Sequence, residues 1–179
     1  MPQFAKGLET ITNIAILVAL GVVLSGWLGF TLFSDGPPRY RVGDSLLDVQ
    51  EVAALNPSPT LILYVNSTCQ FCTQSVPFYS RIADEFVREG SGIRIVAMAR
   101  QPLGELQAYL TDHGLDGATA VEIGADTNFV PTATPTLVLM DSKRRVEGEW
   151  LGMLDADGEE QVLAAIRKIG RQDKIRRRP

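Results

Sequence analysis

The chain has 179 residues, enough for one ordinary domain with an appendage. Lys and Arg number 17 against 21 Asp and Glu, a net charge of −4, so no basic excess points to nucleic acid. Its 2 Cys stand close together at Cys69 and Cys72, which leaves none for a structural disulfide elsewhere, and with 1 His at distant His113 the chain cannot build a convincing Cys/His metal site.

Residues 1–10 are a polar lead with Lys6 and Glu9. From Ile11 to Phe33 there is no charged residue. A helix needs about 20 residues to cross a bilayer, so 11–33 is expected to be a single transmembrane anchor. Trp27, Phe30 and Phe33 gather at its far end, where an aromatic belt would sit. A cleaved signal peptide is the rival reading, with Ala19-Leu20-Gly21 as the cut site. Cutting there would leave Val22 to Phe33 as a bare apolar end, so an uncleaved anchor is expected. Lys6 lies before the span and Arg39 and Arg41 after it, so charge alone gives no orientation. Gly21, Ser25 and Gly29 share one helix face, a pattern common in membrane helices whether or not they pair.

Asp35-Gly36-Pro37-Pro38 makes 34–41 a short linker. From 42 to 170 the chain reads as one domain. Leu46, Leu47, Val52 and Leu55 give a partial helical pattern that Asn56-Pro57-Ser58-Pro59 ends. Leu61 to Val65 is an apolar run expected to be a buried strand, followed by a polar turn, Asn66 to Thr68.

Cys69-Gln70-Phe71-Cys72 comes next, where a helical pattern begins. A Cys delivered by a strand to a helix start sits at the positive end of the helix dipole, which lowers its pKa. The second Cys, one turn along, can close a small disulfide ring with it. Cys69 is expected to be the exposed, attacking sulfur. Phe71, between them, would either contact a partner or shield the disulfide. Pro77 is expected to kink this helix. Phe78, Ile82 and Phe86 recur at four-residue spacing as its buried face, and Glu89-Gly90-Ser91-Gly92 stops it.

Ile93 to Met98 is a second strand, expected parallel to the first through the helical crossover. Leu103 to His113 reads as a helix with Leu103, Leu106 and Leu110 inward and Gly114 as its cap; His113 is expected to be exposed near the helix end. Ala120 to Ile123 is a short strand. Ala133-Thr134-Pro135 leads directly into the strand Thr136 to Met140, and Val146 to Leu151 returns as an edge hairpin. Gly158 to Ile169 is a final amphipathic helix. Residues 171–179 form a basic tail, with Lys174 and Arg176-Arg177-Arg178, read as solvated or as a contact for anionic lipid.

A strand, Cys69-x-x-Cys72, a helix carrying Pro77, and Thr134-Pro135 before a strand and hairpin together resemble the thioredoxin superfamily. The distance from the dithiol to Thr134-Pro135 resembles its membrane-tethered, extracytoplasmic TlpA/ResA-like branch. The likeness covers roughly Val42 to Ile169. It implies an α/β fold, a thioredoxin-like mixed sheet flanked by helices and preceded by one transmembrane helix. It also implies a thiol–disulfide oxidoreductase in which Cys69 attacks and Cys72 resolves. Pro135 would be a cis-proline facing the dithiol, with Thr134 offering backbone hydrogen bonds to a bound partner. The redox group would be the Cys69–Cys72 disulfide itself, with no cofactor and no metal. Partners would be protein thiols or disulfides, with a membrane redox protein as one candidate. The placement implied is the cell membrane, single-pass, with the domain on the periplasmic side.

Two positions depart from thioredoxin. Its Trp just before the first Cys is Thr68 here, and its buried acid six residues before that Cys is Leu63. Other readings are an adaptor or binding module without turnover and a thiol peroxidase. The peroxidase would want a Thr where Asn66 stands. A copper chaperone would want wider Cys spacing and a His placed unlike His113.

Overall fold

The computed structural model describes residues 40–88, 92–129 and 131–176. The expected anchor, 11–33, lies outside the described residues. Among the described residues no helix is long and apolar enough to cross a membrane.

Five strands form one sheet: β1 (Thr60–Tyr64), β2 (Arg94–Ala99), β3 (Thr119–Glu122), β4 (Thr136–Met140) and β5 (Val146–Leu151). Their order is β3-β2-β1-β4-β5. β1 runs parallel to β2 and antiparallel to β4, and β3 adds parallel to β2. β4 and β5 form the expected edge hairpin. The helices are α1 (Gln50–Ala53), α2 (Gln70–Gln74), α3 (Val76–Ile82), α4 (Leu103–Asp112) and α5 (Ala156–Arg176), with a wider π-helical turn at Ala83–Arg88.

The apolar run of β1 is continuous because both its faces are covered. Its side chains alternate between two cores. Leu61, Leu63 and Val65 pack with Phe78, Tyr79, Ile82 and Phe86, with Leu106 and Leu110 of α4, and with Val162, Leu163, Ile166 and Ile169 of α5. Ile62 faces the other way, among Leu46, Val52, Phe129 and Val138. The dithiol therefore follows a strand buried over its first four residues, a stiff base for the two sulfurs.

Several expectations are corrected. The helix after the dithiol is not one kinked rod. It breaks at Ser75, two residues before Pro77, and resumes as α3 with the proline in its first turn. Pro77 has no N–H to give the carbonyl four residues back, and a first-turn position avoids that loss. Leu103 is exposed; the inward face of α4 is Leu106, Tyr109 and Leu110. His113 is half-buried, not exposed, with its ring edge against Tyr109 at 4.6 Å between centroids. Gly114, at φ +69°, ends α4. Its N–H reaches Thr111 O at 3.1 Å and Leu115 N–H reaches Leu110 O at 2.8 Å, the paired bonds of a Schellman turn. α5 begins at Ala156 and continues to Arg176, so part of the expected basic tail is helix. Residues 170–176 contain one glycine and no proline, and most of the rest are good helix formers.

Candidate active site

β1 hands the chain to a tight loop. Asn66 Oδ1 accepts from Thr68 N–H at 2.8 Å and from the Thr68 hydroxyl at 2.7 Å, and Cys69 N–H donates to Asn66 O at 3.0 Å. An Asn side chain that imitates a backbone turn is a standard way to reverse a chain in few residues. Ser67 N–H donates to Gln101 Oε1 at 2.8 Å, which ties the loop to the segment after β2. The loop is thus held at both ends.

Cys69 is the N-cap of α2, in extended conformation (φ −81°, ψ 113°), and its Sγ accepts the Cys72 N–H at 3.3 Å. Cys69 is half-buried and Cys72 is fully buried, and both are free thiols. The expected asymmetry of exposure is present. Cys69 stands, as expected, at the start of a helix, and the first N–H groups of α2 act directly on its sulfur. Burial pushes the Cys69 thiol up, but hydrogen bonds from the Cys72 thiol, the Cys72 N–H, the Thr134 side chain and the Phe71 backbone outweigh it. The net pKa is below that of an ordinary thiol. Burial pushes Cys72 the other way, to about 12, helped by its hydrogen bond with Cys69 and by the Cys69 charge; the Asn66 backbone and Thr134 side chain offset only part. The two sulfurs are therefore poised apart, one ready to be a thiolate and one held as a thiol.

Thr134, half-buried, brings its carbonyl to 3.5 Å from Cys69 Sγ, close enough to accept the thiol proton when one is present. The Thr134–Pro135 bond is cis. Pro135 is itself buried, so it can act on a partner only through the shape it gives the loop. Its carbonyl accepts Gly152 N–H at 2.7 Å, and the Thr136 hydroxyl closes the turn on Ala133 O at 2.7 Å. Phe71 is 55 % exposed beside the dithiol, a large apolar side chain open to a partner.

Two residues of this neighbourhood escaped the sequence reading. Tyr79 and Tyr109 are buried in the same core cluster as Cys72. The seven-residue spacing from Cys72 to Tyr79 places them two helical turns apart, a usable signal; nothing local marks Tyr109.

A mixed sheet of this order, a dithiol at the first helix start after β1, and a cis-prolyl turn against the first sulfur define a thioredoxin-like fold. Solved structures with this fold include a Chlorobium tepidum protein described as a candidate thiol:disulfide interchange protein DsbE, with 20% identity, TM-score 0.54, and cover of 71% of this chain and 99% of that one. A secreted Mycobacterium tuberculosis disulfide oxidoreductase homologous to E. coli DsbE matches at 18% identity and TM-score 0.50, over 65% of this chain and 85% of its own. A thiol-disulfide isomerase from Corynebacterium glutamicum matches at 15% identity and TM-score 0.51, over 72% and 96%. No family model matches the chain, and no curated protein matches it by sequence.

Proposed function

We propose that this chain is a thiol–disulfide oxidoreductase that exchanges disulfides with protein partners through Cys69 and Cys72. The observation that carries the reading is the opposed state of the two sulfurs: Cys69 half-exposed with a lowered pKa, Cys72 buried with its pKa at about 12. A nucleophile for another protein's disulfide must be both reachable and ionised, and Cys69 alone meets both needs. The activities named for the structural neighbours are in keeping with it.

In the reducing direction, the Cys69 thiolate attacks one sulfur of the partner disulfide. That S–S bond breaks, and the departing partner sulfur takes up a proton. Cys72 then loses its proton and attacks Cys69 Sγ. The Cys69–Cys72 bond forms, the mixed disulfide breaks, and the second partner sulfur leaves. Two electrons pass from the dithiol to the partner, and the reverse sequence oxidises a partner dithiol. Thr134 and the Pro135 turn would line the partner's backbone, and Phe71 would supply an apolar contact. The dithiol carries the electrons, so no further cofactor is invoked.

The run Ile11 to Phe33 would tether the domain to a membrane, with the domain outside the cytoplasm. The secreted character named for one neighbour agrees with that side. Turnover with insulin as a protein disulfide and a small dithiol as reductant tests the activity. The unaltered chain should reduce insulin, and Cys69→Ser should not. Equal rates with and without Cys69 would remove the proposal.

A further inference from the structure

Cys72 has to lose its proton during resolution, yet it sits at 0% exposure. Thr60, Ser75 and Thr136, buried in the same domain, are neither acids nor bases. Leu63, six residues before Cys69, is buried and apolar. A thiolate formed there meets a low-dielectric interior, where an unpaired charge is costly.

Two hydroxyls in that interior take no part in the exchange described above. Tyr79 on α3 and Tyr109 on α4 are 1% and 6% exposed and belong to the core cluster that holds Cys72. Both hydroxyls are buried without a hydrogen-bond partner among the described residues. Ser75 lies beside Tyr79 and Thr73 beside Tyr109, each offsetting part of the effect of burial on the phenol, while Ser75 Oγ donates to Phe71 O at 2.9 Å. Phe would fill the same space without burying an oxygen, so two orphan hydroxyls in one cluster call for a reason. Both feel the sulfurs. Burial first, and then charge at Cys72, holds each phenol well above its ordinary pKa, Tyr109 at about 12, so each remains a proton donor at neutral pH.

We propose that the hydroxyls of Tyr79 and Tyr109 are positioning residues that turn their O–H groups to the Cys72 sulfur as its thiolate forms, in place of a buried acid. The inference rests on the dithiol reading above. In the resolving step the Cys72 S–H bond breaks, the Cys69–Cys72 bond forms, the Cys69–partner bond breaks, and the leaving sulfur takes the proton. The phenols keep their own protons throughout and lend hydrogen bonds to the transient negative sulfur. They lower the barrier to that step and leave the first attack by Cys69 alone.

The test uses the full chain and a chromogenic aromatic disulfide in single-turnover mixing. Attack by Cys69 releases one coloured thiolate, and resolution by Cys72 releases the second. Tyr79→Phe and Tyr109→Phe should each leave the first burst unchanged and slow the second by about tenfold, the worth of one hydrogen bond to a charged sulfur. Their melting temperatures should equal or exceed that of the unaltered chain, because each removes an unsatisfied buried oxygen. A second burst at the unaltered rate in both variants overturns the proposal. So does a lowered melting temperature with both bursts slowed together, the mark of a merely structural role. An unaltered chain that gives a first burst and no second would contradict the dithiol reading itself, and the inference with it.

Discussion

The Cys69 sulfur accepts the backbone N–H of Cys72 at 3.3 Å, so the residue proposed to resolve the mixed disulfide would also stabilise the thiolate proposed to begin the reaction. That bond is local, made within one turn, and it needs no long helix behind it. The Thr134 carbonyl, just before the neighbouring strand β4, stands at 3.5 Å from the same sulfur. One sulfur is thus addressed both from its own helical turn and by a residue 65 positions along the chain.

The first prediction concerns selectivity. Cys69 has a lowered pKa, so its thiolate is present at a pH where an ordinary thiol is protonated. Cys72, pushed up to about 12, stays a thiol at that pH. Brief iodoacetamide treatment at mildly acidic pH, read by peptide mass spectrometry, should label Cys69 almost exclusively. Preferential labelling of Cys72 would reverse the assignment of roles.

A second prediction isolates Thr134. Its side chain is one of the groups that lower the Cys69 pKa. Thr134→Ala should let that pKa rise, so the thiolate fraction at a fixed acidic pH falls. Alkylation of Cys69 there should slow by about tenfold, the scale of one hydrogen bond to a charged group. The difference should vanish at alkaline pH, where Cys69 is ionised in both forms. An unchanged or faster rate at acidic pH would mean that Thr134 shapes the loop without touching the sulfur's ionisation.

Much of this was legible beforehand, for local reasons. β4 has the bounds expected of it because it is an apolar run between Pro135 and the polar turn at Asp141, and β5 has them too although Glu147, Gly148 and Glu149 stand inside it. β1 and β2 differ from expectation by one residue at each end. The Cys69-x-x-Cys72 spacing and Thr134-Pro135 were visible as words in the sequence. What was not visible depends on contacts between distant segments. The break at Ser75 comes before its cause at Pro77. Leu103 has the right spacing to face inward but lies exposed in the first turn of α4, while Tyr109 takes the inward place. Tyr109 comes to the dithiol from another helix, and no local pattern announces it.

Arg144 offers a test of the frame beneath the site. It has φ +60°, a left-handed backbone that costs a non-glycine residue about 1 kcal/mol. Its guanidinium donates to the carbonyls of Val52, Ala53 and Leu55 at 3.2, 3.1 and 2.7 Å, fastening α1 to the β4–β5 turn. Hydrogen bonds from a charged donor are worth about 1.5–3 kcal/mol, which exceeds the strain. Arg144→Ala should therefore destabilise the chain by about 2 kcal/mol, and Arg144→Gly by about 1 kcal/mol less, because glycine relieves the backbone. Denaturant midpoints measure both. Arg144→Gly at or above the unaltered stability would mean that the three bonds contribute little.

The uncharged run Ile11 to Phe33 predicts that the full chain sediments with membranes and resists carbonate extraction. Removing residues 1–33 should release the remainder to the soluble fraction. A mature protein that begins near Val22 and is found in the soluble fraction would replace the anchor with a signal peptide.

Covalent trapping tests the ordered dithiol mechanism most directly. Cys72→Ser keeps the attacking sulfur and removes the one that resolves, and serine cannot displace a disulfide. Non-reducing electrophoresis of cells carrying this variant should show protein adducts that vanish on adding thiol. Cys69→Ser should show none, because its remaining sulfur is buried and protonated. Equal thiol-sensitive adducts from both variants would contradict the assignment of Cys69 as the sulfur that meets the partner. No adducts from either would contradict disulfide exchange itself.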